Sequence, residues 1–221
     1  RFLNRIFTIK NVPSVNWSSE FPLNTRPRFI TLLMLVIGLF LIGLGEAIII
    51  GSGSGVSPWT VLAQGISSKS GLSIGMATFL ISVSILVFWI PLKQVPGIGT
   101  ILNAIIIASA IDLTLPYLPH PDSLVLKILQ ACFGILIVGI GSGIYLSSNL
   151  GPGPRDGLMV GLQKKTDTSI ATIRTIIELS AVLMGWMLGG LVGIGTILFV
   201  FGIGPCVGIG LTLVEKFSKR P

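Results

Sequence analysis

Six long apolar runs, separated by short polar or glycine-rich breaks, make up most of the chain. They cover residues 29–50, about 72–92, about 98–118, 124–146, 169 to about 189, and 194 to about 214. A hydrocarbon layer about 30 Å thick is crossed by about 20 apolar residues in a helix. Within lipid a helix satisfies its own backbone groups, so each run is read as a membrane-spanning helix. Two stretches, 57–68 and 153–164, are too short to cross. Both begin like helices: Ser57-Pro58 offers a capping hydroxyl and then proline at the first helical position. Gly153-Pro154-Arg155-Asp156 offers glycine, proline and a carboxylate near the positive helix end. Each follows an uncharged, glycine-containing leg and is read as a short re-entrant or interfacial helix.

A shift of 96 residues lays the chain on itself without a gap. Gly43 and Gly45 fall on Gly139 and Gly141, Pro58 on Pro154, and Ser73-Ile74 on Ser169-Ile170. The run Gly97-Ile98-Gly99-Thr100-Ile101-Leu102 returns whole from Gly193 to Leu198. Repetition at a fixed period marks a repeated structural unit. Three spans per unit is an odd number, so the second copy enters from the opposite face. The fold class is an all-α membrane protein of about six transmembrane helices in two inverted three-helix repeats, residues 29–118 and 124–214. A basic arm, 1–28, precedes them, and a basic tail, 215–221, follows.

Composition agrees. Hydrophobic residues make up 51% of the 221-residue chain and charged residues 10%, too few charges to cover a water-facing surface. The formal charge of +7 does not point to nucleic acid, because the cations lie between the apolar runs and at the ends. With the N-terminus inside, thirteen Lys and Arg residues fall on the cytoplasmic side and only Lys69 and Lys127 on the other. That asymmetry predicts a multi-pass protein of the bacterial cytoplasmic membrane with both termini inside. Cys132 and Cys206 lie in apolar runs and read as packing residues. There is no Ser/His/Asp set and no Cys/His cluster, and the lone His120 stands between prolines. An enzyme, a metal site and a cofactor are not expected.

Several segments carry a resemblance. Ser57-Pro58-Trp59-Thr60-Val61-Leu62, Trp89-Ile90-Pro91-Leu92, Gly151 to Met159, Arg174-Thr175-Ile176-Ile177-Glu178 and Gly185 to Gly190 are similar to the YczE/YyaS/YitT-type bacterial membrane proteins. The YczE branch fits best, over roughly 29–214. The resemblance implies a plasma-membrane location and no particular activity. Members often carry an acid beside or just after the first-repeat proline, where this chain has Ser57 and Thr60.

Ionisable groups inside a membrane are costly, which makes each a functional candidate. Arg174 and Glu178 stand one helical turn apart on one face, as a structural pair or as a gate. Arg155 and Asp156 open the second short segment. Its helix start, with that at Pro58, offers free N–H groups to an anion or polar solute if the segments dip inwards. Glu46 and Asp112 lie late in the first and third spans. The path or gating candidates are Glu46, Pro58, Asp112, Pro154, Arg155, Asp156, Arg174 and Glu178. Two functions fit: a small-solute transporter or channel with its path between the repeats, or a non-transporting subunit of a membrane complex. In the second, residues 1–28 meet a partner or the lipid surface.

Overall fold

The computed structural model describes residues 12–217, which are helical with connecting turns and contain no strand. The helices are α1 (Phe29–Ser52), α2 (Pro58–Ser70), α3 (Ile74–Trp89), α4 (Ile98–Thr114, continued by a 3-10 turn at Leu115–Tyr117), α5 (Leu124–Ser148), α6 (Pro154–Thr166), α7 (Ile170–Met187) and α8 (Ile194–Phe217). The starts of α2, α3 and α4 return 96 residues later as those of α6, α7 and α8. Five helices, α1, α4, α5, α7 and α8, are long and apolar enough to cross a membrane, and a sixth span arises if the bent pair α2–α3 counts as one. The chain is a multi-pass membrane protein. Large apolar side chains such as Phe29, Phe88, Met187 and Phe201 stand exposed on its outer surface, where lipid is the solvent.

The second expected span differs most. In place of a run from 72 to 92, α3 has 16 residues, or about 24 Å of helix. It stops because Trp89-Ile90-Pro91 turns the chain; the Ile90 and Lys93 amides donate to the Val87 and Ile90 carbonyls, and Lys93 takes a positive φ of 53°. Residues 71–73 link α3 to α2, which is bent from it by 114°. The described part of the arm packs on the helices. Its residues 1–11 lie outside the described part, but Val15 and Trp17 are buried against Val214. Ser18 Oγ donates to the Ser147 carbonyl at 2.6 Å, and Asn149 Nδ2 donates to the Ser19 carbonyl at 3.0 Å.

α1 and α5 form the centre. A Cβ on Gly38 would stand 2.9 Å from the Gly141 carbonyl, and one on Gly134, 2.8 Å from the Gly45 carbonyl. The two contacts exchange under the 96-residue shift. Gly38 meets Gly141 while Gly45 meets Gly134, so the two helices run antiparallel. Close approach of backbones through small residues is the main source of cohesion where lipid removes the hydrophobic drive.

The short helices cross over. α2 packs on α7 of the other repeat and α6 on α3. Their legs cross too: Gly99 N–H donates to the Leu150 carbonyl at 2.7 Å, and Gly195 N–H to the Ser54 carbonyl at 2.8 Å. Thr100 Oγ1 donates to the Pro152 carbonyl at 2.7 Å. The repeated Gly-Ile-Gly-Thr is therefore a docking element. Its glycines admit the opposite leg, and its threonine takes a hydrogen bond from the N-cap amide, Gly97 or Gly193. In each leg a glycine with strongly positive φ, Gly55 at 112° and Gly151 at 107°, makes the turn that other residues resist.

Candidate functional site

Each leg folds back along the long helix before it. α1 ends at Ser52, yet Ser57 Oγ lies 2.9 Å from Glu46 Oε2. Glu46 is six residues below that end, a return of about 9 Å. The start of α6 returns likewise towards Ser142 and Tyr145 of α5. Pro58 and Pro154 are both buried, and both line one cavity of about 340 Å³.

The cavity straddles the exchange axis. Ile42 and Val138, Ile107 and Ile203, and Asn103 and Phe199 line it as pairs 96 residues apart. Two more such pairs, Glu46 with Ser142 and Ser57 with Gly153, also line it. The lining thus repeats in position but not in chemistry. In repeat one the acid is on the long helix, Glu46, and a hydroxyl, Thr60, stands in the short helix. In repeat two the hydroxyl, Ser142, is on the long helix and the acid, Asp156, in the short one.

Glu46 is only 4% exposed. Its Oε2 accepts from Thr60 Oγ1 at 2.8 Å and stands 2.9 Å from Ser57 Oγ, so the carboxylate sits on the positive start of α2. Asp156 occupies the first turn of α6, where its carboxylate meets the Gly153 N–H. It is solvent-accessible through the cavity that it lines. Arg155 lies over the Trp59 ring, 5.2 Å from its centroid, with Glu46, Asp156 and Glu178 within electrostatic reach. Arg174 Nε donates to Glu178 Oε1 at 2.9 Å, with side chains 53% and 23% exposed, and this pair closes one wall.

Of the eight candidates, the structure brings Glu46, Pro58, Pro154, Arg155, Asp156, Arg174 and Glu178 around the cavity. Asp112 lies elsewhere. It accepts from Ser73 Oγ at 2.6 Å and Gly75 N–H at 2.8 Å, tying the end of α4 to the start of α3. The sequence reading passed over the polar cavity residues Trp59, Asn103, Ser142 and Tyr145, and Thr60, which donates to Glu46 beside them. The signal for two of them was present, because Trp59 and Thr60 are the repeat partners of Arg155 and Asp156. A larger recess of about 610 Å³ lies between the arm and residues 146–152, and among the described residues its one charged lining residue is Glu20.

No solved structure matches the chain. A Haemophilus influenzae protein described as uncharacterized is 38% identical over 213 residues, covering 96% of this chain and 97% of its own length. Two Bacillus subtilis proteins are also similar. YczE, described as an uncharacterized membrane protein, is 32% identical over 163 residues, 73% of this chain and 76% of its own. YyaS is 30% identical over 184 residues, 81% of this chain and 92% of its own. Residues 29–211, which hold both repeats up to the Gly139–Gly210 contact, match a family of unknown function, and the chain belongs to that family, DUF6198.

Proposed function

We propose that the protein is a small-solute transporter or channel of the cytoplasmic membrane, with its solute site in the cavity between the two repeats. The observation that carries this reading is the meeting of two proline-started helices, one from each repeat, at a single charged cavity. Inverted-repeat transporters place their sites at such an interface, with broken helices aiming their ends at the solute. The antiparallel packing of α1 on α5 fits repeats of opposite orientation, with both termini inside. A volume of about 340 Å³ is at the small end of ligand pockets and suits a compact solute. Charges inside a membrane protein face such a site or a water path. The complex-subunit reading draws less support, because the described part of the arm packs on its own chain rather than projecting from it.

The test is flux. The purified chain in sealed vesicles is offered a broad panel of labelled small polar solutes. At least one is expected to cross faster than in empty vesicles, and Glu46→Gln and Arg155→Gln are expected to abolish the difference. No protein-dependent flux of any solute would remove the proposal.

A further inference from the structure

Most charges at the cavity are already engaged. Glu46 is held by Ser57 and Thr60, and Arg174 pairs with Glu178. Two are left. Among the described residues the Arg155 guanidinium has no hydrogen bond and no ion pair; its neighbour is the Trp59 face. The Asp156 carboxylate meets a backbone N–H and no side-chain donor. The two are consecutive on the first turn of α6, so they project about 100° apart and do not face each other. Both line the same cavity. Two opposite charges, neither with a side-chain partner of its own, thus stand side by side on one cavity.

We propose that the cavity binds a zwitterion, a small amino-acid-like or betaine-like solute, with its carboxylate on the Arg155 fork and its cationic nitrogen at Asp156. The binding geometry follows from the side-chain chemistry. A planar guanidinium with free donors matches a carboxylate in two parallel hydrogen bonds. A lone anion meets the field of Asp156 and Glu46. It also finds both helix starts taken, α2 by Glu46 and α6 by Asp156. A lone cation satisfies Asp156 and leaves Arg155 open. Only a ligand with both charges completes both residues. The indole N–H of Trp59, on a side chain 8% exposed, has no hydrogen-bond partner, and Trp59 shares this wall. It gives the site a further donor beside Arg155.

The assignment rests on the cavity being the solute site proposed above, and the test separates the two. Equilibrium binding to the detergent-purified full chain is measured with glycine, L-alanine, β-alanine and glycine betaine. Acetate, propionate, methylammonium and ethylammonium are the singly charged counterparts. At least one zwitterion is expected to bind, at least about tenfold more tightly than either counterpart. Arg155→Gln and Asp156→Asn each weaken it about tenfold or more, and Arg155→Lys retains part of the affinity. Size-exclusion and melting profiles matching the parent show that these variants fold. Should one variant not fold, the other and the counterpart series decide. The assignment falls if no zwitterion binds up to about 10 mM, if the counterparts bind as well, or if folded variants bind like the parent. Vesicle flux is run on the same panel. Zwitterion binding without flux removes transport and keeps the ligand class; flux of singly charged solutes without zwitterion binding does the reverse.

Discussion

Trp59 and Arg155 are the same position in the two repeats, and they touch: the guanidinium lies 5.2 Å from the indole centroid. Residues that are partners under an exchange axis meet each other only near that axis, so this contact marks where the two halves join. It also gives the junction a polarity that the backbone lacks, with an aromatic face on one side and a cation on the other. A cation over tryptophan in a partly desolvated place contributes roughly 0.5–2 kcal/mol. Trp59→Leu is expected to lower the melting temperature in detergent more than Trp59→Phe, which keeps a ring under Arg155. Equal losses in both variants would show that the ring face contributes nothing.

Glu46 separates shape from charge. Glu46→Gln keeps an oxygen for Ser57 and Thr60 at nearly the same volume, so stability is expected to change by less than about 1 kcal/mol. Glu46→Leu takes the acceptor from the buried Thr60 hydroxyl, leaving Ser57 Oγ only its bond to Thr60, and is expected to cost about 1–3 kcal/mol. Solute flux is expected to be lost in both. Thermal melting and vesicle flux on one set of variants read the two effects; flux retained in Glu46→Gln would show that the charge is dispensable.

Much of the frame was legible in the sequence because it rests on local rules. Proline at the first helical position and a small or hydroxyl residue before it located α2 and α6, and the 96-residue shift paired the starts of α2, α3 and α4 with those of α6, α7 and α8. The exchange of partners was not legible. Nothing local in Gly97-Ile98-Gly99-Thr100 says that the opposite leg will dock there, since that depends on two segments about 50 residues apart. The end of α3 was missed for a related reason. Residues 72–92 are uncharged throughout, and hydropathy does not register the turn that Pro91 and the positive φ of Lys93 impose. At the site, charge was legible and its neutral partners were not. Ser57 and Thr60 read as a helix start, and only the fold-back of the leg brings them to Glu46.

The crossed helices differ in one respect that mutagenesis exposes. Gly157 of α6 faces the Trp89 ring of α3, whose Nε1 donates to the Pro154 carbonyl at 3.0 Å. At the matching crossing of α2 on α7, Gly185 stands where Trp89 would be and lies against the backbone of Val61 and Leu62. Gly157→Ala pushes a methyl group into a side chain, and Gly185→Ala pushes one into main chain. Both are expected to reduce the folded yield in membranes. Trp89→Leu is expected to recover part of the yield of Gly157→Ala, because the clash is with the ring. No side-chain change at 61 or 62 is expected to recover Gly185→Ala. Recovery measured by detergent size-exclusion of the double variants decides the matter, and failure of the first rescue would mean that α6 does not rest on Trp89.

Asp112, which reaches a helix start from the end of α4, and Asp156, which opens α6, give opposite expectations. Asp112 reaches across from α4 to Ser73 and Gly75 at the start of α3, away from the cavity, and satisfies amides that the first turn leaves open. Removing such a cap costs about 1 kcal/mol, so Asp112→Ala is expected to lower the melting temperature and leave flux per folded molecule unchanged. Asp156 lies in the cavity, with the Gly153 N–H near its carboxylate. Asp156→Asn keeps an oxygen for that amide and removes the charge, so it is expected to leave melting nearly unchanged and to abolish flux. Melting curves and flux normalised to folded protein place each variant. If Asp112→Ala also removed flux in a stably folded protein, the coupling between α3 and α4 would belong to the working cycle. The path would then extend beyond the cavity between the repeats.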